Sequence, residues 1–161
     1  MFSTTNSTFP MSPNRPIWNP TSSEPSNGNP EAEKGLISIV DDDESVRKAL
    51  KRLFKSVGLR VEAFASAEDF LNFATPSEAA CLVLDLRLPG MSGLELQANL
   101  LGANCHIPIV FISADGDGQA RAQALAAGAI DFLQKPFSEK ALFDAINSAL
   151  VIQNRGASEI N

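Results

Sequence analysis

Five short apolar runs, each followed by a segment of helical periodicity, fill the chain from Leu36 to Val151 and leave few ways to fold it. Residues 36–40, 60–64, 81–84, 107–112 and 130–133 are rich in branched and aromatic side chains and bounded by turn residues, which predicts strands. After the first, Val46, Leu50, Leu53, Phe54 and Val57 recur at helical spacing, and Gly58 supplies the stop. Ser66 is positioned to cap a second helix carrying Phe70, Leu71 and Phe73 before Pro76. A third follows Ser92 and Gly93 and carries Leu94, Leu96, Leu100 and Leu101. The fourth is Ala-rich, running from Gly118 toward Gly128 with Leu125 as its single large apolar residue, so it should pack loosely. The last begins at Ser138 and Glu139 and presents Leu142, Phe143, Ile146, Leu150 and Val151. Strict alternation of this kind implies right-handed crossovers and a doubly wound α/β fold, a five-stranded parallel sheet with helices on both faces.

The chain has 161 residues, 44% of them hydrophobic, enough for one domain with a real core and short for two. Six prolines between Pro10 and Pro30 punctuate a Ser/Thr/Asn-rich opening that has too little apolar surface to offset the entropy of ordering it. Residues 1–33 are therefore expected to be a disordered extension, 34–152 the domain and 153–161 a short tail. A net charge of -6 and a pI near 4.7 argue against broad binding of nucleic acid or anionic membrane. Cys81 and Cys105 lack metal-ligand spacing and read as free thiols. With no apolar stretch of roughly 18 residues and no signal-like N-terminus, the expectation is a cytoplasmic protein.

In doubly wound sheets, functional groups gather outside the carboxyl ends of the strands, where strand order reverses. Here those ends offer Asp41 and Asp42, then Asp85, Ser113 and Lys135. Carboxylates brought together raise each other's pKa and cost stability unless cations neutralise them. Lys135 would be one, built in. The other would be bound, and an all-oxygen donor set favours magnesium over zinc. Asp43 and Glu44 more simply favour the start of the first helix through its dipole. His106, before Ile107 and Pro108, reads as a structural loop residue.

The order and content of Ile39-Val40-Asp41-Asp42-Asp43-Glu44, Val83-Leu84-Asp85-Leu86-Arg87-Leu88-Pro89-Gly90, Phe111-Ile112-Ser113-Ala114 and Phe132-Leu133-Gln134-Lys135-Pro136-Phe137 resemble response-regulator receiver domains of two-component signalling. The segment Ser66-Ala67-Glu68-Asp69-Phe70-Leu71 further resembles the FixJ-type subgroup. The resemblance implies a flavodoxin-like, CheY-like (βα)5 fold with strand order 2-1-3-4-5 and a cis peptide between Lys135 and Pro136. It implies that Asp85 accepts a phosphoryl group from a sensor histidine kinase or a histidine phosphotransfer protein. Asp42, Asp85 and the backbone carbonyl of Arg87 would ligate Mg2+, and Asp41 would hold a coordinated water. Lys135 and Ser113 would take phosphoryl oxygens, and Ser113 with an inward-turning Phe132 would form the switch. Arg87, Ala114 and Asp115 would tune hydrolysis, so the domain would catalyse only its own phosphorylation and dephosphorylation.

The output face implied is the fourth helix, fifth strand and fifth helix, with phosphorylation-linked homodimerisation as one use of it. FixJ-type regulators usually continue into a DNA-binding domain, whereas only 152–161 follow the last predicted helix. The expectation is a stand-alone phosphorelay receiver acting through a protein partner, without direct nucleic-acid contact. The alternatives are the receiver fragment of a longer DNA-binding regulator and a phosphorylation-independent interaction module. A magnesium phosphohydrolase would need a second acid two residues after Asp85, where Arg87 stands.

Overall fold

The computed structural model describes residues 35–114, 116 and 118–160. The extension predicted over 1–33, and Asp115 with its tuning role, lie outside these residues. Within them the chain forms β1 (Leu36–Val40), α1 (Glu44–Ser56), β2 (Arg60–Phe64), α2 (Ala67–Phe73), β3 (Ala79–Asp85), α3 (Gly93–Gly102), β4 (Ile109–Ser113), α4 (Gly118–Ala126), β5 (Asp131–Gln134) and α5 (Glu139–Ile160). The strands pair in parallel in the order β2-β1-β3-β4-β5, the CheY-like α/β topology.

Burial explains the order. All seven residues of β3 are buried, as a central strand covered on both faces must be, whereas the edge strands β2 and β5 are only partly buried. Side chains alternate between two cores. Ile37, Ile39, Cys81, Val83, Val110 and Ile112 face Leu50 and Phe54 of α1 and Leu142 and Ile146 of α5. Val40, Leu82, Leu84 and Phe111 face Phe70 of α2, Leu96 and Leu100 of α3, and Ala120 and Ala124 of α4. Burying a large side chain such as Phe54 or Phe111 contributes roughly 1.5–3 kcal/mol.

The helix starts follow from local chemistry. Asp43 caps α1 by accepting from the Ser45 amide, Ser66 caps α2 by accepting from Asp69, and Ser92 with Glu95 forms a reciprocal capping box on α3. Gly58 follows α1 with φ +85, a conformation that costs glycine little.

Three expectations change. β3 runs from Ala79 through Asp85 itself, because its central place in the sheet extends the pairing beyond the most apolar stretch. α4 is held by Ala120 and Ala124, while Leu125 is exposed, so small residues let this helix lie close to the sheet. α5 continues to Ile160, and the break expected at 153 is absent: the segment 153–160 has no Pro to stop a helix, and its single glycine, Gly156, is accommodated. Val151, expected to be buried, is exposed, and Ala145 and Ala149 complete the face instead.

Candidate functional site

β1 and β3 are neighbours, yet the chain leaves β1 toward β2 on one side and returns to β3 on the other, so a crevice opens above their carboxyl ends. Asp41 follows β1 directly and is fully buried; Asp42 beside it is exposed. Asp85 ends β3 and is buried. One oxygen from each of these carboxylates lies within 4.8 Å of the others.

Lys135 reaches over from the end of β5, where its amide donates to the Ser113 carbonyl at 2.7 Å. Its Nζ donates to Asp41 Oδ2 at 2.9 Å and lies 3.8 Å from Asp85 Oδ2. Lys135 is thus ion-paired with both acids, and its direct hydrogen bond goes to Asp41. The other Asp41 oxygen accepts from the Asp43 amide at 2.8 Å, and its carbonyl accepts from Arg47 Nη1 at 2.8 Å. Asp41 is thereby fixed on every side. Asp85 accepts from the Arg87 amide at a longer 3.4 Å on its Oδ1.

The electrostatics follow this inequality. Burial, and then the charge of Asp41, push the Asp85 carboxyl up to about 6 despite the pull of Lys135. Burial alone would lower the Lys135 ammonium, but the bond to Asp41 and the charges of Asp85 and Asp41 outweigh it and hold the group above its ordinary value. Asp43 is lowered by the Ser45 hydroxyl and amide, as its capping role requires. It is a helix cap.

Ser113 is buried at the end of β4, and Ala114 and Arg87 are exposed at the rim. The structure thus brings Asp41, Asp42, Asp85, Ser113 and Lys135 to one end of the sheet. Gly93 lets α3 approach closely: a Cβ there would meet the Asp85 carbonyl oxygen at 2.5 Å. Phe132 lies elsewhere on β5, already buried, stacked on Phe111 with ring centroids 6.0 Å apart. The peptide between Lys135 and Pro136 is cis.

The donor set fits a hard divalent cation. Three carboxylates share one built-in ammonium, the ammonium is committed to the most buried of them, and the exposed Asp42 faces a cleft of about 680 Å³ bordered by Arg87, Leu88 and Gln119. Magnesium binds through one or two carboxylates plus carbonyls and water, which these residues can supply.

Two residues escaped the sequence reading. Glu68, which registers there only within the segment resembling the FixJ-type subgroup and is given no role, accepts from the Met91 amide at 2.9 Å. Arg121 of α4 donates to the Phe132 carbonyl at 3.0 Å and places its guanidinium 5.9 Å from that ring's centroid. Neither has a local sequence signal, because each acts across elements.

A parallel 2-1-3-4-5 sheet with clustered acids at the ends of β1 and β3 and a lysine after β5 is the arrangement of a receiver-type signalling module. The model of the response regulator receiver domain matches residues 37–147, and the chain belongs to that family. It is 48% identical over 116 residues to nodulation protein W of Bradyrhizobium diazoefficiens, covering 72% of this chain and 51% of that protein. It is 46% identical over 132 residues to response regulator protein TmoT of Ectopseudomonas mendocina, covering 80% and 60%. Among solved structures it superposes on response regulator StyR with TM-score 0.73 at 49% identity, over 79% of this chain and 65% of that one. FixJ-N superposes with TM-score 0.67 at 41% identity, over 72% and 93%. The chain spans little more than half the length of the curated relatives it matches. Its acidic triad is typical of the magnesium site of receivers, and the family implies a histidine kinase partner. Among the described residues no helix is long and apolar enough to cross a membrane.

Proposed function

We propose that this receiver is a phosphorylation switch in which Asp85 accepts a phosphoryl group from a phosphohistidine of a sensor kinase or phosphotransfer protein. The observation that carries the reading is the unequal sharing of Lys135: Asp41 is neutralised and fixed, while Asp85, buried at the end of β3, keeps an under-compensated carboxylate. A carboxyl near 6 is ionised at neutral pH, and so remains a nucleophile.

In the transfer, an Asp85 oxygen attacks phosphorus, a P–O bond forms, the P–N bond breaks, and the leaving imidazole nitrogen keeps the electron pair and takes a proton. Charge on the equatorial oxygens is the main thing to stabilise in so loose a transition state. Lys135 supplies a fixed ammonium for one oxygen and Ser113 a hydroxyl for another. Asp42, Asp85 and the Arg87 carbonyl would hold Mg2+, with Asp41 reaching it through water, and its charge would neutralise the crowded carboxylates and the incoming phosphoryl group. Return to the ground state needs a water to attack phosphorus in line, past Arg87 and the small Ala114 at the rim.

The signal would pass from Ser113 along β4 and β5 to the α4-β5-α5 face. Phe132, stacked on Phe111 of β4 and bonded through its carbonyl to Arg121 of α4, links those elements along that route. Output is then a change in protein contacts, homodimerisation included. Intact mass after incubation with acetyl phosphate and Mg2+ tests the reading. A single phosphoryl adduct, lost with chelator and in Asp85→Asn, is the expected result. No adduct from acetyl phosphate or from a phosphohistidine donor would leave a phosphorylation-independent interaction module.

A further inference from the structure

The loop from Leu86 to Ser92 carries the Arg87 carbonyl past Asp85, and its two ends are fixed locally. Leu86 donates to the Ile112 carbonyl and accepts from the Gly93 amide, both at 3.0 Å, and the Ser92–Glu95 capping box secures the other end. Its tip, Pro89-Gly90-Met91, is held from another element. Glu68, in the first turn of α2 and 23 residues away, accepts from the Met91 amide at 2.9 Å. Gly90 turns at φ +75, and a Cβ there would sit 2.7 Å from Glu68 Oε2, so the carboxylate lies directly against the loop backbone. Pro89 has no amide to offer, and of the N–H groups at the tip it is that of Met91 that donates to Glu68.

We infer that Glu68 is a positioning residue, bracing the β3–α3 loop from α2 so that the Arg87 carbonyl is held toward the Asp42–Asp85 crevice. The inference rests on the receiver reading of that site. A ligand carried on an unbraced loop must be ordered each time the cation binds, so removing the brace weakens binding without altering any ligand atom. The geometry demands an acceptor at Glu68 rather than a charge. An acid in the first turn of α2 also favours that helix through its dipole, and this merely local role would be lost with the charge.

The glutamine variant separates the two. In the full chain, Mg2+ binding is measured by titration calorimetry, and labelling by acetyl phosphate is followed across Mg2+ concentrations. Glu68→Ala should raise the half-saturating Mg2+ by about 5- to 10-fold, the equivalent of one hydrogen bond, while the labelling rate at saturating Mg2+ is unchanged. Glu68→Gln, whose amide oxygen still accepts from Met91, should behave as the unaltered chain. Exchange of the Met91 amide should be faster in Glu68→Ala alone. Equal Mg2+ affinity in all three proteins would overturn the inference, and so would equal weakening in both variants, which would assign the effect to charge. If the unaltered chain neither binds Mg2+ nor becomes labelled, the receiver reading itself fails and takes this inference with it.

Discussion

The Lys135 ammonium sits 2.9 Å from Asp41 Oδ2 and 3.8 Å from Asp85 Oδ2, so it is hydrogen-bonded to the wholly buried acid and only near the other. Asp85 consequently carries the electrostatic cost of the site. A functional carboxylate held in a costly charged state is primed to gain from anything that neutralises it, whether cation or phosphoryl transfer.

That cost should be visible as a pH dependence. The Asp85 carboxyl lies near 6 in the folded protein against 3.8 for the free group, so its protonated form favours folding. The penalty is absent below 3.8, grows as pH rises, and is complete above about 6, where it amounts to roughly 3 kcal/mol at most. With chelator present, Asp85→Asn should therefore raise the melting temperature by several degrees at pH 7.5, and the gain should shrink toward zero near pH 4. A constant difference across that range, in thermal melts, would contradict the electrostatic account.

Removing the ammonium should do the opposite. Lys135→Met leaves Asp41 buried without its partner and should cost roughly 3 kcal/mol in urea unfolding. Adding Asp41→Asn should restore much of that loss, and the coupling from the double-mutant cycle measures the pair.

Helix α4 has only two alanines in the core, and its polar ties carry much of its attachment. Gln97 of α3 donates to the Ala124 carbonyl at 3.1 Å, and Arg121 clasps Phe132. Arg121→Ala should cost about 1 kcal/mol and speed amide exchange in α4 while leaving α1 unchanged. Hydrogen exchange read by NMR would show whether the loosening is confined to that helix.

The two thiols should differ sharply in reactivity. Burial pushes Cys81 up to about 12 and also raises the half-buried Cys105. In native protein at pH 8, an aromatic disulfide reagent should modify Cys105 alone, with Cys81 appearing only after denaturant is added. Prompt reaction of both would mean that β3 opens far more readily than a central strand should.

Ser38 is buried in β1, and its hydroxyl has no hydrogen-bond partner among the described residues. Ser38→Ala should be neutral or stabilise by up to about 1 kcal/mol, since it removes a desolvated donor and little volume. A loss above 1 kcal/mol in urea unfolding would point to a bond formed outside the conformation described.

Much of this molecule is written locally. Asp43, Ser66 and Ser92 announce their helices because a cap bonds within three residues, and the apolar runs before Asp41, Asp85, Ser113 and Lys135 announce strands whose ends must converge once the sheet is parallel. That α4 lacks a large apolar stripe was legible, but which residues hold it was not: Leu125 is exposed, and close approach to the sheet favours Ala120 and Ala124. The length of α5 was underestimated, because its polar end gives no apolar stripe to read.

By itself the sequence determined the alternation of elements, the parallel sheet and the set of groups at its carboxyl edge, all of which depend on patterns a few residues long. Only the tertiary structure decided that Lys135 bonds Asp41 across 94 residues, that Phe132 is buried against Phe111, and that Glu68 bonds the Met91 amide in the loop beyond Asp85. Those choices turn on differences of about an ångström between groups far apart in the chain. Such distances are set by how the two cores pack.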